Sequence, residues 1–102
     1  MSKQNAKLNA RSGDGEPCWL SIFRDENGLP RMRLKFGIAE RDAILSEEDG
    51  ILQSIRNLLQ RLKDFDPAHK ITPELESEII EQGEVFDRLE RFKTHDNIGY
   101  DS

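Results

Sequence analysis

Few side chains in this chain have the chemistry of a reactive centre: one cysteine, Cys18, and two histidines, His69 and His95. A thiol becomes a nucleophile when a base approaches it, but Cys18 opens the apolar run CWLSIF, where a lone thiol packs as a small hydrophobe. The two histidines fall in a loop and in a tail. His69 has Asp64 and Asp66 nearby and His95 has Asp96, which are metal-ligand types without the spacing of a zinc site. The helical pairs Glu74/Glu78 and Glu81/Glu84 offer carboxylates for acid–base work. A general acid needs burial to raise its pKa, and an open helix does not provide it. The glycines of GDGEP are not followed by a lysine at phosphate-loop spacing, and DENG lacks the remaining ligands of a calcium loop. The expectation is a protein that is not an enzyme and uses no metal and no cofactor.

Charge is more informative than reactivity. The 102 residues carry 15 Lys and Arg against 20 Asp and Glu, a net charge of −5. The acidity concentrates from Pro73 onward, in Glu74, Glu76, Glu78, Glu81, Glu84, Asp87 and Glu90 with little basic compensation. A basic cluster, Arg24, Arg31, Arg33 and Lys35, lies in the first half. Uniformly basic nucleic-acid binding is excluded, while a local basic face is not.

These surfaces need elements to carry them. Ile51, Leu52, Ile55, Leu58, Leu59, Leu62 and Phe65 share one arc at helical spacing, which predicts an amphipathic helix over 47–65, capped by Ser46 and opened by Glu47, Glu48 and Asp49. Thr72-Pro73-Glu74 marks the start of a second helix, 73–93, with Leu75, Ile79, Gln82, Val85, Phe86, Leu89 and Phe92 inward. The short connection predicts an antiparallel helical hairpin. Gly83, in mid-helix, reads as a kink or a close helix–helix approach, and Ile80 lies off the apolar arc.

Before the helices, CWLSIFR and RMRLKFGI flank an Asn-Gly pair and predict a β-hairpin over 18–37. With Asn27 and Gly28 as the two turn residues, Trp19 faces Phe36, Ser21 faces Leu34 and Phe23 faces Met32 on the buried side. Leu20, Ile22, Arg24, Arg31, Arg33 and Lys35 then fall on the other side. Ala43 to Leu45 reads either as a short third strand or as a turn of helix. Residues 1–16 lack branched and aromatic side chains and are expected to be a disordered arm, with residues 94–102 a tail. The predicted fold is thus α+β: one small domain over 17–93, with a β-hairpin packed on an antiparallel two-helix hairpin.

No family's defining motif is present. The function expected from size, charge and lack of motifs is a small regulatory or inhibitory protein that binds another protein, of the kind encoded as accessory proteins by phages and mobile elements. Glu78, Glu81, Glu84 and Ile80 are its contact residues. Ile80, Leu20 and Ile22 left uncovered predict a homodimer. The alternative is a nucleic-acid-binding protein using Arg24, Arg31, Arg33 and Lys35. Acidic net charge and inward-facing aromatics count against it. No apolar run approaches the roughly 20 residues of a membrane span, and no secretory signal is evident, so a cytoplasmic location is expected.

Overall fold

The computed structural model describes the backbone of residues 3–65 and 71–101, and the side chains of residues 5–65 and 71–91. The elements are β1 (Lys3–Lys7), β2 (Cys18–Arg24), β3 (Pro30–Phe36), β4 (Ala39–Ile44), α1 (Ile51–Phe65) and α2 (Pro73–Asp101). The strands form one antiparallel sheet in the order β1-β2-β3-β4, and the α+β fold expected from the sequence is present with two more strands than the hairpin alone.

The hairpin forms where the Asn-Gly signal lies, but its register is shifted by one residue from the expected one. Asp25 N donates to Leu29 O at 2.9 Å and Gly28 N to Asp25 O at 2.9 Å, which closes a three-residue loop over Glu26, Asn27 and Gly28. Asp25 Oδ1 also accepts from Asn27 N at 2.9 Å and Leu29 N at 3.0 Å. Gly28 takes the left-handed φ of 80° that this turn-plus-bulge requires. The strands therefore pair Leu20 with Leu34, Ile22 with Met32 and Cys18 with Phe36.

A one-residue slip exchanges the faces of a strand. On β2, Cys18, Leu20 and Ile22 are buried; Trp19 is exposed and Phe23 only half-buried, opposite to the expectation. The assignment for β3 stands, with Met32, Leu34 and Phe36 buried. Packing explains the choice. The expected register would have placed the Ser21 hydroxyl in the middle of the core and left two aliphatic side chains in water. In the observed one, Ser21 Oγ donates to Asn5 Oδ1 at 2.8 Å on the outer face.

The N-terminal arm, expected to be disordered, contains a strand. Lys3 to Lys7 pairs along β2, because a ladder is held by main-chain groups and needs no apolar side chains. Leu8, only 4% exposed, anchors its end in the core. The amides of Asn9 and Ala10 donate to the two Glu78 carboxylate oxygens at 2.6 and 2.7 Å. Ala43 and Ile44 resolve as strand, the end of β4, and Leu45 just beyond it donates its N–H to Pro30 O at 2.8 Å.

Helix α1 starts later than expected. Ser46 to Gly50 forms a turn in which Gly50 N donates to Glu47 O at 3.2 Å, and Gly50, at φ 87°, supplies the first helical acceptor, to Ser54 N at 2.9 Å. A left-handed Gly50 stops the helix from extending back through Glu47, Glu48 and Asp49. Helix α2 starts as expected: Leu75 N donates to Thr72 Oγ1 at 3.1 Å. It continues past Lys93 to Asp101, because no proline interrupts it.

The two helices pack antiparallel, with Lys63 Nζ 2.6 Å from Glu76 Oε2 at one end and Ile55 against Gly83 further along. A single core joins Leu8, Leu20, Ile22, Met32, Leu34, Phe36, Ile55, Leu59, Leu75, Ile79 and Phe86. Of the expected helical arcs, Phe65 and Leu89 are exposed instead, while Phe92 lies outside the described side chains. Ile80 packs on the core, and Leu20 and Ile22 lie in it. Of the three residues on which a homodimer was expected, Leu20 and Ile22 are thus covered within one chain and Ile80 is partly covered.

Candidate functional site

The helices cover one face of the sheet and leave the other open. Alternation along each strand, with the register above, sets the open face row by row. One row holds Lys7, Trp19, Lys35 and Glu40; the next Asn5, Ser21, Arg33 and Asp42; the third Phe23, Arg31 and Ile44, with Lys3 at its β1 position. Aromatic residues run along β2, and cationic residues flank them on β1 and β3.

Trp19, 37% exposed, is the centre of the first row. Lys7 Nζ and Lys35 Nζ lie 5.9 and 5.8 Å from its ring centroid, at the outer limit of a cation–π contact. Among the described residues neither lysine is paired with a carboxylate. Phe23 has the Arg33 guanidinium 5.4 Å from its ring centroid. Arg33 is held in turn by Asp42 Oδ2, at 2.9 Å from Nη2 and 3.1 Å from Nε, with Glu40 3.5 Å away. Arg31 Nε donates to Asp25 Oδ2 at 2.7 Å, and its Nη1 reaches Asp42 Oδ1 at 3.5 Å. Arg31 and the backbone amides of Leu29 and Asn27 hold the Asp25 carboxyl below the usual carboxylate range, and Asp25 raises the pKa of Arg31.

Three of the four expected basic residues, Arg31, Arg33 and Lys35, lie together on this face. Arg24 does not. It lies at the end of the inner face, where Glu47 and Glu90 each sit 2.7 Å from Nη2 and Gly28 O accepts from Nη1 at 2.7 Å. Hydrogen bonds from Arg24 to Glu90 and Glu47 raise its pKa, so this guanidinium is a brace between the hairpin turn, the loop before α1 and α2. Lys7, Trp19 and Phe23 were not among the expected site residues. Their signal was Asp25: Asp at the first and Gly at the fourth position of DENG favours a type I turn, which would have given the observed register.

The acidic candidates divide as well. Glu81 and Glu84 are exposed on α2. Glu78 is engaged by the Asn9 and Ala10 amides, and Ile80 is half-buried against the core, so neither stands ready for a partner.

Cys18 is fully buried, with Sγ 3.5 Å from Glu16 O, and burial pushes its thiol pKa up, away from a reactive thiolate. His69 lies outside the described residues, as does the side chain of His95. Among the described residues there is no group of three or more His, Cys, Asp or Glu that could hold a metal, and no helix long and apolar enough to cross a membrane. Comparison with known protein families, curated proteins and solved structures yields no match for this chain.

Proposed function

We propose that this protein binds single-stranded nucleic acid on the open face of its sheet. The observation that carries the reading is Trp19: a 37% exposed indole in the middle of an antiparallel sheet, flanked by Lys7 and Lys35 and sharing its face with Phe23, Arg31 and Arg33. An exposed indole in a sheet centre forfeits burial, and a flat π-face between cations is what an unpaired base and its phosphates require. Duplex bases are already stacked and offer no face to Trp19.

The net charge of −5 does not oppose this locally. The exposed carboxylates of α2, Glu81 and Glu84, belong to the helix layer, which packs on the opposite face of the sheet, and a helix is about 10 Å across. The Debye length at physiological salt is about 8 Å, so the sheet face acts through its own charges.

The chain has one tryptophan, so intrinsic fluorescence reports on this site alone. Titration with a single-stranded oligonucleotide should quench Trp19 and raise the anisotropy of a labelled strand, with weaker binding of the matching duplex. Affinity should fall with salt, by about 0.7 log units per decade of salt for each phosphate neutralised. Unchanged tryptophan emission and flat anisotropy at low salt would refute the proposal. A regulatory protein docking through Glu81 and Glu84 is the second reading, favoured by their exposure on α2. In that case reversing both to lysine abolishes capture of a basic protein partner and leaves the oligonucleotide titration unchanged.

A further inference from the structure

We infer that the open face holds two base-stacking positions of unequal readiness, one at Trp19 that is open and one at Phe23 that Asp42 keeps latched. The inference rests on the single-strand reading above and specifies how that site is regulated from within. Trp19 and Phe23 lie four residues apart on β2, about 13 Å along the strand at its usual rise, so one base cannot cover both. Each therefore serves its own base.

The cations near the two rings differ in state. Lys7 and Lys35 stand beside Trp19 with no described carboxylate partner, and their flexible ammonium groups can turn to a phosphate without breaking an ion pair. Arg33 is committed. Its Nε and Nη2 both donate to Asp42 Oδ2, and this grip holds the guanidinium over the Phe23 ring. The Asp42 carboxylate occupies the place a phosphate oxygen would take, and the guanidinium occupies the face a base would stack on. Occupation of the second position thus requires exchanging Asp42 for phosphate. Arg31 is different again, because its main partner is Asp25, at 2.7 Å, whose side chain also holds the hairpin loop. Removing the Asp42 charge therefore leaves Arg33 with the looser contact to Glu40, 3.5 Å from Nε, and leaves Arg31 largely in place.

The latch predicts a gain that depends on Arg33 and on where the charge is removed. Asp42→Asn keeps the shape of the side chain while removing the charge that competes with phosphate. A fluorescein-labelled 12-mer of deoxythymidine, titrated with the full chain, should bind wild type with a salt slope of about −1.4, from the two lysines alone. With Asp42→Asn the slope should steepen to about −2.1, one further phosphate, and affinity at low salt should rise about tenfold, the worth of one charge-assisted hydrogen bond. Adding Arg33→Gln to Asp42→Asn should return both values to those of wild type. A general effect of net charge is tested by Glu81→Gln on α2, which raises the net charge by the same single unit: it should leave slope and affinity at the wild-type values, and a gain equal to that of Asp42→Asn would overturn the latch, as would a gain that persists in the double variant. So would wild-type binding that quenches Trp19 but is unaltered, in slope and affinity, by Asp42→Asn. Absence of binding by both proteins overturns the single-strand reading itself, which keeps the two failures distinct. Asp42→Ser carries the same comparison if the asparagine variant does not fold.

Discussion

Gly83→Ala sets two opposed magnitudes against each other at one atom. Glycine in the middle of a helix is about 1 kcal/mol less favourable than alanine, so on an open helix surface the substitution stabilises. Gly83 is buried, and a Cβ placed there would lie 2.6 Å from Ile55 Cδ1 and 3.4 Å from Leu52 Cδ2. Carbon atoms in contact sit about 3.5 to 4.0 Å apart, so the Ile55 methyl must retreat by about 1 Å. Ile55 is 0% exposed, which leaves it no solvent to move into. Forcing an added methyl into such a core costs about 1 to 3 kcal/mol, more than the helical gain. The net expectation is a loss of about 1 kcal/mol, or a Tm lower by about 4 to 8 °C for a domain of this size. Thermal unfolding followed by circular dichroism measures it. The mechanism has its own control: Ile55→Val removes the Cδ1 methyl at a cost of about 0.5 to 1.5 kcal/mol, and in that background Gly83→Ala should be neutral or stabilising. A Tm that rises on Gly83→Ala alone, or a loss of the same size in both backgrounds, would refute the reasoning.

The register makes a paired prediction: Ile22→Ala should cost about 2 to 5 kcal/mol, whereas Phe23→Ala, on the open face, should cost well under half as much by urea unfolding. Glu78→Ala removes the acceptor of the Asn9 and Ala10 amides and should cost about 1 to 3 kcal/mol, with faster hydrogen exchange at those two amides and along β1; unchanged exchange would show that the strand does not depend on this tether. The lowered pKa of Asp25 gives a pH dependence of definite sign. The folded state holds the carboxylate below its unfolded value, so the stabilisation is present above the usual carboxylate range and is lost as pH falls through the lowered folded value. Asp25→Asn should accordingly flatten the acid limb of the stability–pH curve, and an unchanged limb would contradict the assignment.

The residues that wrote their structure legibly are those whose neighbours in sequence are also their partners in space. The face of α1 follows from its helical period, the start of α2 from Thr72 and Pro73, and the existence of a hairpin from the turn between two β-rich runs. The burial of Met32, Leu34 and Phe36 follows from alternation alone, because the charged residues between them allow only one inner face. On β2 alternation was ambiguous: Trp19 and Phe23 on one side and Leu20 and Ile22 on the other are both apolar. The choice rested on one loop residue and on what the core accepts at Ser21. That slip of one residue moves both aromatics onto the face that carries the lysines, and with it the functional reading. β1 was illegible for a different reason, since KQNAK has no apolar pattern and becomes a strand only because β2 offers it an unpaired edge and Glu78, far away in sequence, holds its exit. Sequence determines which faces a residue's own period can offer; the tertiary structure alone decides which of two adequate faces is buried, because that depends on the volume and polarity the opposing elements leave to be filled.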